Sequence, residues 1–187
     1  MTLIIISGIC LSAACGFRIF IPFLILSIFS YTGNIELNEG ALWISTIPAL
    51  IIFSSLTVLE IIGYYIPWID NMLDLISTPL SIIAGIIILS SLLIDVNPAI
   101  KWIFSILFGG VISFNVQLMT VKARALTSVF ESGFGNSVFS TIELIAALLI
   151  SVLAIFQPVI SLAILLLLTY LIFRKIILKR KTDLQKG

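Results

Sequence analysis

The sequence predicts an all-α, polytopic membrane protein of about six transmembrane spans, arranged as two inverted three-helix halves with a broken or re-entrant first element. Three observations predict it. Apolar residues make up 60% of the chain and charged residues only 10%, against roughly 45–50% and 25% in a soluble domain. The mean hydropathy is +1.28, more apolar surface than one soluble core of this length can hide. The apolar residues also fall in continuous runs near or beyond the ~20 residues that cross a bilayer, whereas a β-barrel would show alternating segments of ~10 residues.

The first run covers residues 3–31, and Arg18 is its only charge. Gly16 and Pro22 bracket it, and a proline removes a backbone donor while disfavouring helix at its predecessor. The element is therefore expected either to break or re-enter, which is tolerated only where protein or water satisfies the freed groups, or to run as one tilted, proline-kinked span whose Arg18 snorkels or pairs structurally. A guanidinium at that depth costs about 2.5–3.5 kcal/mol on insertion scales. That cost makes Arg18 the leading candidate site residue.

The loop Thr32–Gly40 holds two glutamates and no Lys or Arg, and reads as external. A second span is expected over 41–64. Between Tyr64 and Pro79 lie Pro67, Trp68, Asp70 and Asp74, which predict a short interfacial helix with tryptophan at headgroup level. Spans three to five follow at 79–94, 99–120 and 138–156, with Lys122 and Arg124 just after the fourth. The sixth is 158–178; from Val159 to Phe173 it is almost wholly Leu, Ile and Ala apart from Ser161, Thr169 and Tyr170, and is expected to face lipid or a neighbouring subunit.

Residues 1–178 thus read as one transmembrane domain, with repeat halves at 1–95 and 96–178, and 179–187 as a basic cytoplasmic tail. Six of the ten basic residues lie after Phe173. By the positive-inside rule this predicts a multi-pass protein of the cell (inner) membrane with both termini cytoplasmic, and a tail that meets anionic lipid headgroups. Ser45, Thr46 and Ile47 recur as Ser140, Thr141 and Ile142, and inverted halves would place a site near the midplane.

Three polar stripes recur at helical spacing: Ser54, Thr57, Glu60 and Tyr64; Ser105, Gly109, Ser113, Gln117, Thr120 and Arg124; Asn136, Ser140, Glu143, Ala147, Ser151 and Ala154. Small and hydroxyl residues on one face are what helix packing in a membrane needs. That need does not account for the ionisable member on each stripe. Arg18 is expected within one side-chain length of Glu60 or Glu143, and the three are expected to border one polar cavity, with Lys122 and Arg124 as further pathway or ion-pair residues.

Histidine is absent, which excludes His-dependent catalysis, and the two cysteines, Cys10 and Cys15, have neither metal nor redox spacing. No metal or cofactor is expected, and no nucleic acid, because no basic surface is interleaved with aromatics. Asp70 and Asp74 are one helical turn apart. They could serve a lipid-handling enzyme, or else cap an interfacial helix or pair with Lys122 or Arg124.

The run Leu11, Ser12, Ala13, Ala14, Cys15, Gly16, Phe17, Arg18, Ile19, Phe20, Ile21, Pro22 resembles the opening signature of a prokaryotic membrane family catalogued as domain of unknown function 4126. The resemblance continues through Glu60, Ile66 to Asp70 with Asp74, Lys122 with Arg124, and the glycine turn followed by Asn136, Ser140 and Glu143. It implies the architecture and the choice of residues, and no activity. The residues themselves point to a small transporter or channel with a buried charged site, acting on an anion or lipid headgroup. The alternatives are a structural or lipid-organising subunit, as a homo-oligomer, and the enzyme built on Asp70 and Asp74.

Overall fold

The computed structural model describes residues 2–128 and 134–184, without the side chains of Pro67, Asn71 and residues 125–128, 134–137 and 175–184. The described residues are helical with short connections: α1 Thr2–Cys15, α2 Phe20–Tyr31, a 3-10 turn Glu39–Ser45, α3 Ile47–Tyr64, α4 Pro67–Leu92, α5 Pro98–Phe104, a π-helical segment Ser105–Gly110, α6 Val111–Ser128, α7 Phe134–Phe156 and α8 Pro158–Leu184. Four stretches are long and apolar enough to cross a membrane: Ile47–Tyr64, Trp68–Leu92, Pro98–Arg124 and Val138–Phe156. Their outward faces carry residues such as Leu59, Leu75, Ile103 and Leu149, which suit hydrocarbon.

The helix starts follow local chemistry. α3 opens where the Thr46 hydroxyl accepts from the Ala49 N–H, and α5 where Asn97 Oδ1 accepts from the Ala99 N–H at 3.0 Å. Proline stands in the first turn of α3, α4 and α5, where its missing donor is not needed.

The first element is a hairpin. α1 runs antiparallel to α4: Ile4 and Ile5 lie beside Leu92 to Asp95, Gly8 meets Leu89, and the Ser12 hydroxyl donates to the Gly85 carbonyl. After a tip at Gly16–Ile19, α2 climbs back along α3, with Phe23 stacked on Phe53 and the Ser27 hydroxyl donating to the Ile44 carbonyl. Phe29 then meets Phe156 at the end of α7. The 14 and 12 residues of α1 and α2 span only about 21 and 18 Å at 1.5 Å per residue. The chain enters and leaves this element at the same end of the bundle. The first element is thus broken and turned back, not one tilted, kinked span.

That geometry bears on three expectations. Phe17 at the tip lies beside Leu168, Leu171 and Ile172 of α8, so α1 and α8 run parallel and Thr2 lies at the opposite end of the bundle from the end of α8. The start of α1 and the end of α8 therefore do not share one end of the bundle. Residues 98–128 run as one continuous helical rod, unlike the α1–α2 hairpin. Finally, Tyr64–Pro79 is no separate interfacial helix. α4 continues through Pro79, whose exposed ring leaves the helix unbroken while the Thr78 hydroxyl bonds back to the Asp74 carbonyl.

α4 and the π-helical segment touch backbone to backbone at Gly85 and Gly109, where an added Cβ on either would run into the other's carbonyl. α8 packs on α1, α6 and α7 and turns Leu166, Leu167 and Tyr170 outward, as expected of a lipid-facing helix.

Candidate functional site

The hairpin tip descends to the end of the bundle where α3 and α6 finish and α4 and α7 begin. Residues one turn apart share a helix face, and each of these ends contributes such a pair or a single charge: Glu60 and Tyr64 from α3, Asp70 and Asp74 from α4, Arg124 from α6, Ser140 and Glu143 from α7. Arg18 comes from the tip itself. The cluster therefore lies toward one end of α3, α4 and α6, with Glu143 nearer the middle of α7.

Arg18 is 2% exposed. Its Nη2 donates to the Ser140 carbonyl at 3.0 Å and lies 3.5 Å from Glu143 Oε2. Its guanidinium carbon stands 3.7 Å from the centre of the Tyr64 ring, a cation–π contact. Nε and Nη1 of Arg18 have no hydrogen-bond partner among the described residues.

Arg124 holds the carboxylates of α4 and α7 together. Its Nη1 bonds Asp70, and Asp74 at 3.0 Å, while its Nη2 bonds Glu143. It too lies over the Tyr64 ring, at 4.6 Å, and the Tyr64 hydroxyl bonds Ser77. Glu143 Oε2 is thus shared between two guanidiniums. Glu143 Oε1 has no partner among the described residues.

Glu60 is buried one turn from Tyr64 and does not touch the Arg124 network. Its two oxygens accept from the backbone N–H groups of Ile19, at 2.8 Å, and Phe20, at 3.1 Å. These are donors that the start of α2 leaves without intrahelical partners, and the positive end of the helix dipole adds to the attraction. Two guanidiniums in the cluster face four carboxylates.

The structure brings together Arg18, Glu60, Asp70, Asp74, Arg124, Ser140 and Glu143. Ser113 and Gln117 are buried on α6. One turn beyond Gln117, the Thr120 hydroxyl is shared between the Gln117 carbonyl at 2.9 Å and the Gly16 carbonyl at 3.4 Å, which brings α6 against the tip. Lys122 is exposed and lies outside the cluster, because its position on α6 points away from the stripe that carries Arg124. The side chain of Asn136 lies outside the described residues.

Arg18, Glu60 and Glu143 are all buried, at 2%, 5% and 2% exposure. A cleft of about 220 Å³ does reach Glu143, but the rest of its wall is apolar, including Phe139, Ala146, Leu168 and Ile172, and neither Arg18 nor Glu60 lines it. Two participants were not legible as site features: the Tyr64 ring under both guanidiniums, and the Ile19 and Phe20 N–H groups that seat Glu60. The four-residue step from Glu60 to Tyr64 was the available signal for the first. No side-chain pattern announces the second, because it is backbone.

Over residues 5–177 the chain matches the family model described as a domain of unknown function, DUF4126, and it belongs to that family. No curated protein and no solved structure is significantly similar to it.

Proposed function

We propose that this member of the family is a small membrane transporter or channel whose polar pathway passes the charged hairpin tip. One observation carries the reading: Arg18 is almost wholly buried and yet two of its guanidinium nitrogens have no partner among the described residues. Buried polar groups in native proteins are nearly always satisfied, and a guanidinium kept only as a counter-ion would spend its donors on the carboxylates around it. Unspent donors suit a group that comes and goes, and their chemistry asks for an acceptor, either an anion or a lipid headgroup. Glu143 already engages both guanidiniums and is the residue whose state would release them.

Lys122 and Arg174 lie toward the cluster end, while Lys101 lies at the other end. The positive-inside rule supports a cytoplasmic cluster end in the cell membrane, with lipid headgroups at the tail. The start of α1 then belongs to the external end.

Arg124, engaged by three carboxylates, favours a second reading as a structural or lipid-organising subunit, associating with further copies through outward apolar faces. The same engagement weighs against an enzyme using Asp70 and Asp74, since both are already bound by Arg124. Flux assays in proteoliposomes separate the first two readings. Glu143→Gln and Arg18→Ala are expected to abolish or uncouple an anion or lipid flux while the protein stays folded. If both lower the melting temperature by many degrees and leave every flux unchanged, the structural reading replaces transport.

A further inference from the structure

We infer that the start of α2 is an anion-binding seat and that Glu60 occupies it as a displaceable internal ligand. The inference deepens the transport reading by placing where an anionic group would bind. Three features define the seat. The N–H groups of Ile19 and Phe20 converge on one carboxylate, in the geometry by which a helix N-terminus holds an anion. α2 has 12 residues, long enough for its dipole to contribute. Independently of the helix, the buried Arg18 one residue earlier has Nε and Nη1 without partners among the described residues.

The carboxylate in the seat comes from a different helix, 41 residues along the chain from Ile19. It is held by two hydrogen bonds and by no side-chain ion pair among the described residues, in contrast to Glu143 and Asp70, which guanidiniums hold directly. A monovalent oxyanion could take the same two N–H groups and also the unspent donors of Arg18. Glu60, once displaced, would need a proton or water, since an unpaired buried charge is costly. Thr57, one turn earlier on α3 and buried with its hydroxyl unpartnered among the described residues, offers a polar neighbour.

The test uses the full chain in detergent or lipid and nitrate as the anion, with gluconate at equal ionic strength as the control. A ligand that binds the folded state raises its apparent stability in a saturable way. Glu60→Gln, which removes the resident charge, is expected to gain a saturable, nitrate-dependent rise of several degrees in melting temperature. Wild type should show a much smaller rise, and Glu60→Gln combined with Arg18→Gln should show none. A rise equal in wild type and Glu60→Gln, or one that survives loss of Arg18, would overturn the seat. Where Glu60→Gln or Glu60→Ala does not fold in gluconate, nitrate should rescue it; failure to rescue overturns the proposal too, because the seat then accepts only Glu60. The measurement needs no flux. Nitrate binding without flux would leave the seat standing and remove the transport reading, and flux without nitrate binding would do the reverse.

Discussion

The backbone N–H of Asn38 donates to the carbonyl of Ser91 at 2.9 Å, and the Asn38 side-chain amide donates to Ser90. The loop after α2 is thereby fastened to the end of α4, the same end at which Ile4 and Ile5 lie. The chain has turned back, and everything at the tip, Arg18 included, reaches the cluster from the far end of the bundle.

A labelling prediction follows from that connection. Single cysteines at Thr2 and Asn34 are expected to react with a membrane-impermeant maleimide from the same side, and one at Lys122 from the opposite side. The native Cys10 and Cys15 are fully buried and should contribute little background. Reaction of Thr2 and Lys122 from one side would replace the hairpin with a crossing first element.

Arg124→Ala is expected to destabilise the protein by about 3–5 kcal/mol, the usual cost of removing one partner from a buried ion pair, because Asp70, Asp74 and Glu143 lose their shared cation. Arg124→Lys should recover only part of the loss, since an ammonium cannot present the two separate nitrogens that now meet α4 and α7. Thermal unfolding in detergent reads both. If lysine restored full stability, the forked geometry would carry no weight.

Tyr64 allows its two roles to be separated. Tyr64→Phe keeps the ring beneath both guanidiniums and removes the hydroxyl that bonds Ser77 and interacts with Asp74, for an expected loss of about 1 kcal/mol. Tyr64→Leu removes the ring as well, and about 2 kcal/mol more should go with the desolvated cation–π contacts. Equal losses for the two variants would assign the whole effect to the hydroxyl.

Gly85→Val should part α4 from the π-helical segment, because the new side chain would meet the Gly109 backbone and Ser113 Cβ. The expected result is a drop in melting temperature of several degrees or failure to accumulate. The control is Gly33→Ala, in open space but at φ +75°, where a modest strain penalty of about 1 kcal/mol is expected. A Gly85→Val variant as stable as wild type would mean that the close approach is dispensable.

The sequence by itself determined the class of protein and most members of the charged site. Apolar runs of bilayer length follow directly from composition, and Gly16 with Pro22 marks the broken first element because backbone donors and φ preferences are local properties. Arg18, Glu60, Arg124 and Glu143 stand out for a similar reason: a charge within an apolar run is costly wherever the chain takes it. Only the tertiary structure decided that the first element returns, that Arg124 and not Lys122 gathers the aspartates, that Glu60 seats on backbone N–H groups, and that the start of α1 and the end of α8 lie at opposite ends of the bundle. Hydropathy records whether a segment leaves water, and a helix that crosses has the same composition as one that turns back. Which charge meets which is set by how helices pack across separations such as the 54 residues between Asp70 and Arg124, and no local preference encodes that choice.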